Sequence, residues 1–144
     1  MPLDNGTVYV PDCEACLCCC APAGNPLRPI FFAAVAAGQL RFIRATLHEL
    51  RDLDGAEYKQ LRGIDPQYVE ENDEFENVAG ALIELCPTSV DRLQAISSKI
   101  RVIAAAKLYH WTVLSGDAAT GTTSMGSLCS MLGVACTLHV IVGP

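Results

Sequence analysis

Residues 31–51 read Phe-Phe-Ala-Ala-Val-Ala-Ala-Gly-Gln-Leu-Arg-Phe-Ile-Arg-Ala-Thr-Leu-His-Glu-Leu-Arg. Ala36, Leu40, Ile43, Leu47 and Leu50 recur at 4-3-4-3 spacing, and Arg41, Arg44, His48 and Arg51 follow one position behind. An apolar stripe flanked by a basic one is the pattern of an amphipathic helix. It predicts a helix over 30–51. Phe31, Phe32 and Val35 widen its apolar face, and Gly38 weakens its middle by about 1 kcal/mol relative to alanine.

Downstream, Gly55 and Gly63 bound a short predicted helix at 55–62. Asp65-Pro66 has the form of a helix start, an N-cap acid followed by proline at the first helical position. The helix expected there runs to about Cys86, with Phe75, Val78, Ala79, Leu82 and Ile83 facing inward, and Pro87 ends it. Its first half holds Asp65, Glu70, Glu71, Asp73, Glu74 and Glu76 with no base among them. Acids favour a helix N-terminus, but six exceed what capping requires. Thr88-Ser89-Val90-Asp91 resembles a capping box with Asp in the last place. A further helix is expected to about Leu114, with a stripe of Leu93, Ile96, Ile100 and Ile103 continued by Ala104, Leu108 and Trp111. It carries Arg92, Lys99, Arg101 and Lys107, so the acidic and basic helices are expected to lie antiparallel and pair their charges.

At the N-terminus Thr7-Val8-Tyr9-Val10 is β-prone and ends at Pro11. Asp12 is placed to cap a helix over 13–21, which sets Cys13, Cys16 and Cys20 on one face. Three prolines and a glycine make 21–29 a linker. After Asp117 no charge remains; a helix at 124–136 and a strand at 137–142 are expected. The fold class expected is mainly α: one domain over 1–144, a small four- to five-helix bundle with short β-prone or extended N- and C-terminal arms. Residues 1–29 form a Cys-rich arm and linker, 30–114 the helical core and 115–144 an uncharged tail.

The words from Phe32 to Leu47 also resemble the helix–turn–helix portion of an ankyrin repeat, with Gly38-Gln39-Leu40 in the turn. The resemblance covers one unit of about 20 residues with no second copy 33 residues away, so it implies no repeat array.

Composition bounds the function. Of 144 residues 51 % are apolar and 18 % charged, which excludes a disordered chain. The net charge of −6, with ten Lys and Arg, opposes nucleic-acid binding, which draws on a basic face. Eight cysteines would suit a secreted disulfide scaffold. However, Met-Pro-Leu-Asp-Asn has neither a basic nor an apolar signal region, and five cysteines crowd into 13–20. Mostly reduced thiols are expected, in an intracellular setting or within a particle.

Four stretches are candidate sites. Cys13, Cys16, Cys18, Cys19 and Cys20 offer sulfur to zinc or an iron–sulfur cluster, but a second spaced pair is missing and His48, His110 and His139 are scattered. The bland reading is that these thiols pack as small apolar groups; lipidation would need an adjoining membrane segment. Gly116–Thr123 fits the phosphate-loop pattern except that Thr122 replaces the lysine that reaches the phosphates. The acidic run lacks the glycine of a calcium loop. Residues 125–142 are long enough to span a bilayer, yet contain Ser127, Ser130, Thr137 and His139 and have no basic flank. No catalytic set stands out. The expected function is a non-enzymatic structural or protein-interaction subunit of a larger assembly, such as a viral or other multiprotein particle, with protein partners and no cofactor. The alternatives are a zinc or iron–sulfur protein built on the cysteine run and a small protein anchored through 125–142.

Overall fold

Short apolar runs buried on both sides form the centre of the molecule. The computed structural model describes residues 6–20, 27–86, 90–116 and 124–138. In chain order the elements are β1 (Tyr9–Pro11), α1 (Cys13–Cys20), α2 (Leu27–Ala36), β2 (Arg41–Phe42), α3 (Arg44–Leu53), α4 (Gly55–Gly63), β3 (Gln67–Tyr68), α5 (Asp73–Leu85), α6 (Val90–Tyr109), β4 (Thr112–Ser115), α7 (Met125–Leu132) and β5 (Cys136–Leu138). The chain is mainly helical with short strands.

Every strand pairing is parallel. β1 lies beside β4, with Tyr9 opposite Thr112, and β4 beside β5, with Val113 opposite Cys136. β2 pairs with β3. A parallel bridge between Tyr9 and Leu40 joins the two sets, secured by the Tyr9 N–H donating 2.9 Å to the Gln39 carbonyl. The spatial order is therefore β3-β2-β1-β4-β5, with the first strand in the middle.

Successive strand residues point to opposite faces, and here they feed two separate cores. Tyr9, Phe42 and Leu114 join Leu40, Cys13, Cys16, Phe31, Val35, Leu47, Leu50 and Leu61. Val10, Ile43 and Val113 join Phe75, Leu82, Ile100, Ile103, Met125 and Leu128. Helices α1 to α4 thus cover mainly one face and α5 to α7 the other. Phe31 packs edge-on against Phe42, ring centroids 6.4 Å apart. On the second face Arg101 of α6 grips Glu76 of α5 through two hydrogen bonds (2.7 and 3.1 Å), reaches Glu71 at 2.5 Å and lies over the Phe75 ring. The Arg101 bonds hold the Glu76 carboxyl below its ordinary range. The expected pairing of acidic and basic helices is present at these residues.

This arrangement corrects the expected bundle with arms. The helices pack on the two faces of a parallel sheet, and the β-prone ends supply two of its strands, β1 and β5. The stripe over 30–51 is two helices and a strand. Gly38 adopts φ 73°, a left-handed conformation that stops α2, and the chain re-enters as β2. The turn at Gly38-Gln39-Leu40 in the ankyrin-like reading is in place, but a strand follows it. Asp65-Pro66 does not open a helix. Asp65 sits at φ 54°, β3 follows, and Asn72 caps α5 by accepting from the Phe75 N–H at 3.0 Å. Asp73, Glu74 and Glu76 therefore occupy the first turn of α5, while Asp65, Glu70 and Glu71 precede it. The helix expected to reach Leu114 ends at Tyr109, where His110 turns at φ 58° and the chain enters β4. α7 is eight residues long with Ser124 as its cap and Gly133 at φ 72° as its stop. No helix among the described residues is long and apolar enough to cross a membrane. Thr88 and Ser89, residues 117–123 and residues 139–144 lie outside the described residues.

Gly38→Ala tests the turn that redirects the chain. A side chain at this φ costs about 1–2 kcal/mol, and its Cβ would stand 2.8 Å from the Gln67 amide nitrogen. Urea denaturation should report a loss of at least that size; an unchanged midpoint would mean that the turn is not under this constraint.

Candidate functional site

Because all strands run the same way, their C-terminal ends share one edge. Chain connections diverge between β1 and β4: β1 leads into α1 on one face, while β4 is reached through α6 on the other. In open parallel sheets the crevice at such a divergence, outside the strand C-termini, is where ligands bind. Asp12 stands at that point, immediately after β1.

The Asp12 side chain is buried and fully engaged. One carboxylate oxygen accepts from the Ala15 N–H at 2.7 Å, the expected cap of α1, and from the Gly116 N–H at 3.2 Å. The other accepts from the Ser115 hydroxyl at 2.5 Å. The Asp12 N–H itself donates to the Leu114 carbonyl at 3.0 Å. A buried carboxylate is tolerable only with such donors around it. Gly116 is required here by close approach, since a Cβ on it would lie 2.7 Å from the Ala15 nitrogen and nearer still to the Glu14 carbonyl.

Beside Asp12 opens a cleft of about 280 Å³. Asp12, Cys13, Glu14 and Leu17 form one wall, Thr46, Glu49 and Leu53 of α3 a second, and Ser98, Lys99 and Val102 of α6 a third. The volume is just below the range of drug-sized pockets and suits a hydrated ion or a small polar group. Three carboxylates against one lysine make the cleft electronegative. Its effect on Cys13 is a thiol pushed up to about 12, first by burial and then by the charges of Glu49, Asp12 and Glu14. A thiolate is disfavoured there.

The structure separates the sequence candidates. Cys13 and Cys16 are buried in the core of one face, whereas Cys86 and Cys129 belong to the core of the other, with Cys136 packed against it. Among the described residues no group of three or more His, Cys, Asp and Glu side chains is arranged to hold a metal. The side chains of Cys18, Cys19 and Cys20 lie outside the described residues. His48 and His110 are exposed and far apart in sequence. Of the phosphate-loop candidate only Gly116 is described, and it serves Asp12. Sequence reasoning saw Asp12 as a helix cap and missed its second role, along with Glu49 and Ser115. The readable signal was Val8-Tyr-Val-Pro-Asp12, a strand delivering an acid to a helix start.

Two outcomes are expected. Asp12→Ala removes three accepted bonds at once and should cost about 3 kcal/mol or more in denaturant titration; Gly116→Ala should be destabilising by about 1–3 kcal/mol through overlap with the α1 backbone. For Cys13, folding raises the pKa from 9.0 to about 12, so the folded chain keeps a proton that the unfolded chain releases. Its contribution is complete below pH 9 and is lost as pH rises towards 12. Cys13→Ala should make the alkaline fall in stability shallower over that window; an identical slope counts against a buried thiol beside these carboxylates. No protein-family model matches the chain, and no curated protein matches it in sequence.

Proposed function

We propose that the cleft at the C-terminal edge of the sheet is a divalent-cation site that acts on a phosphate ester, with Asp12 and Glu49 as cation ligands and Lys99 drawing in the anionic group. The observation that carries this reading is the position of Asp12: a buried, pre-positioned carboxylate at the β1–β4 divergence, opening onto an electronegative cleft. Magnesium-class ions need only one or two carboxylates and keep several waters, leaving positions for substrate oxygens. An ion held there would supply charge neutralisation to a phosphate group and a more acidic bound water, while Lys99 would hold the anionic group against the cleft. The bonds from Ala15, Gly116 and Ser115 hold Asp12 in one orientation, as second-layer donors do for metal-binding carboxylates.

A second reading rests on a different observation. Leu53, Leu85 and Met131 are 67 %, 64 % and 50 % exposed, and Leu53 stands at the cleft. Such residues suit an interaction subunit of a larger assembly, the role expected from composition. Light scattering of the purified chain tests that role: a monomer that captures no partner opposes it.

Thermal unfolding against Mn²⁺ or Mg²⁺ tests the first reading. At about a hundredfold excess over its dissociation constant a bound ion stabilises by about 2.7 kcal/mol. The wild type should show that gain, and Glu49→Gln, which leaves the Asp12 bonds intact, should lose most of it. A melting curve indifferent to both ions would falsify the cation site.

A further inference from the structure

Two thiols on the second face sit together for reasons of backbone geometry. Cys129 lies in α7 and Cys136 opens β5. Between them Gly133 at φ 72° ends the helix, and the Val134 N–H returns 2.9 Å to the Cys129 carbonyl. This six-to-one bond is that of a Schellman turn. It folds the chain back so that Cys136, two residues on, comes alongside Cys129. β5 is then fixed by its register, Cys136 opposite Val113 of β4. The result is that both side chains meet at the same core, Cys129 within it and Cys136 packed against it. Cys129 is buried and Cys136 half-buried at the edge strand of the sheet.

We propose that Cys129 and Cys136 form a reversible disulfide in the folded protein, a redox modification site that staples α7 to β5. The turn, the strand register and the shared core bring the two side chains together, the proximity that exchange chemistry needs. Roles within the pair follow from the surroundings. The Cys129 thiolate is disfavoured by Cys136, by burial and by the charge of Asp12. Cys136, the more exposed, therefore meets the oxidant first. With hydrogen peroxide its thiolate sulfur attacks one peroxide oxygen, the O–O bond breaks, and a sulfenic acid and hydroxide form. The sulfur of Cys129 then attacks the sulfenic sulfur, the S–O bond breaks and water leaves with the Cys129 proton. Two electrons pass from the two sulfurs to one peroxide, which ends as two waters. The other described cysteines are placed differently. Cys13 and Cys16 lie in the opposite core, and the Cys86 thiol donates to the Leu82 carbonyl at 3.3 Å.

Trypsin offers a clean readout, because residues 108–144 contain no lysine or arginine and hold Cys129 and Cys136 as their only cysteines. Reduced, folded wild type is treated with limiting peroxide, its remaining thiols are alkylated, and the peptides are weighed. The 108–144 peptide is expected to lose about 2 Da and both alkylation sites before Cys13, Cys16 and Cys86 react, and Cys136→Ser should abolish the loss. Equilibration with reduced and oxidised glutathione should show the bond about tenfold more favoured in the native chain than in urea, or about 30 mV lower in potential. Two results overturn the proposal: Cys136 recovered as sulfinic acid or linked elsewhere while Cys129 stays alkylatable, or equal potentials in buffer and in urea.

Discussion

The carboxylate of Asp12 is the constraint on which the molecule depends. It takes donors from the first turn of α1 and from the end of β4, two places about a hundred residues apart in the chain. Without it, a helix start and a strand end would both present unpaired groups in a buried setting. With it, β1 is fixed to β4, α1 is fixed to β1, and Gly116 lies so close to the α1 backbone that no side chain fits. The same group that closes the fold also opens onto the cleft. Structural satisfaction and chemical potential meet in one residue, which is how a small chain can keep a charged group in its interior.

From that centre the two faces build outward by different means. The α1–α4 face relies on aromatic and aliphatic packing around Phe31 and Phe42, with Arg28 pairing to Glu57 at 2.9 Å across its rim. On the α5–α7 face, packing is reinforced by the Arg101 network. A partly exposed pair of this kind adds little by itself, but a guanidinium held by two carboxylates and laid on Phe75 fixes how α5 meets α6. Elsewhere, cation–ring contacts tie the strands to their edges: Arg41 over Trp111 and Arg44 over Tyr68. The basic stripe noted in the sequence is thereby partly consumed by aromatic faces.

Much of the helical content was legible in the sequence: α1 follows from its Asp12 cap, α4 from its bounding glycines, and the bodies of α5 and α6 from apolar spacing, whereas the start expected at Asp65 did not open α5. The sheet was not. Strands of two to four residues are too short for a period to register, and burial on both faces removes the alternation that marks a half-exposed strand. Leu40 to Ile43 therefore continues a helical stripe on paper and forms a strand in the fold. The left-handed turns at Asp65 and His110 are equally hidden, since neither residue is glycine. The candidate site was half legible for the same reason. Asp12 is readable as a cap from its neighbours, whereas its bonds to Ser115 and Gly116 depend on a pairing between distant strands that local pattern does not contain.

The middle place of β1 in the sheet has a consequence in time as well as in space. Its partner β2 follows within about thirty residues, so Tyr9 and Leu40 can meet early. Its other partner, β4, is about a hundred residues away, and closing so long a loop delays folding. At synthesis rates of about 5–20 residues per second, several seconds separate the appearance of Asp12 from that of Ser115. During that interval the acid caps α1 but lacks its other donors, and one side of β1 is an unpaired strand edge. The nascent protein must keep that edge from foreign strands until its own chain supplies the match.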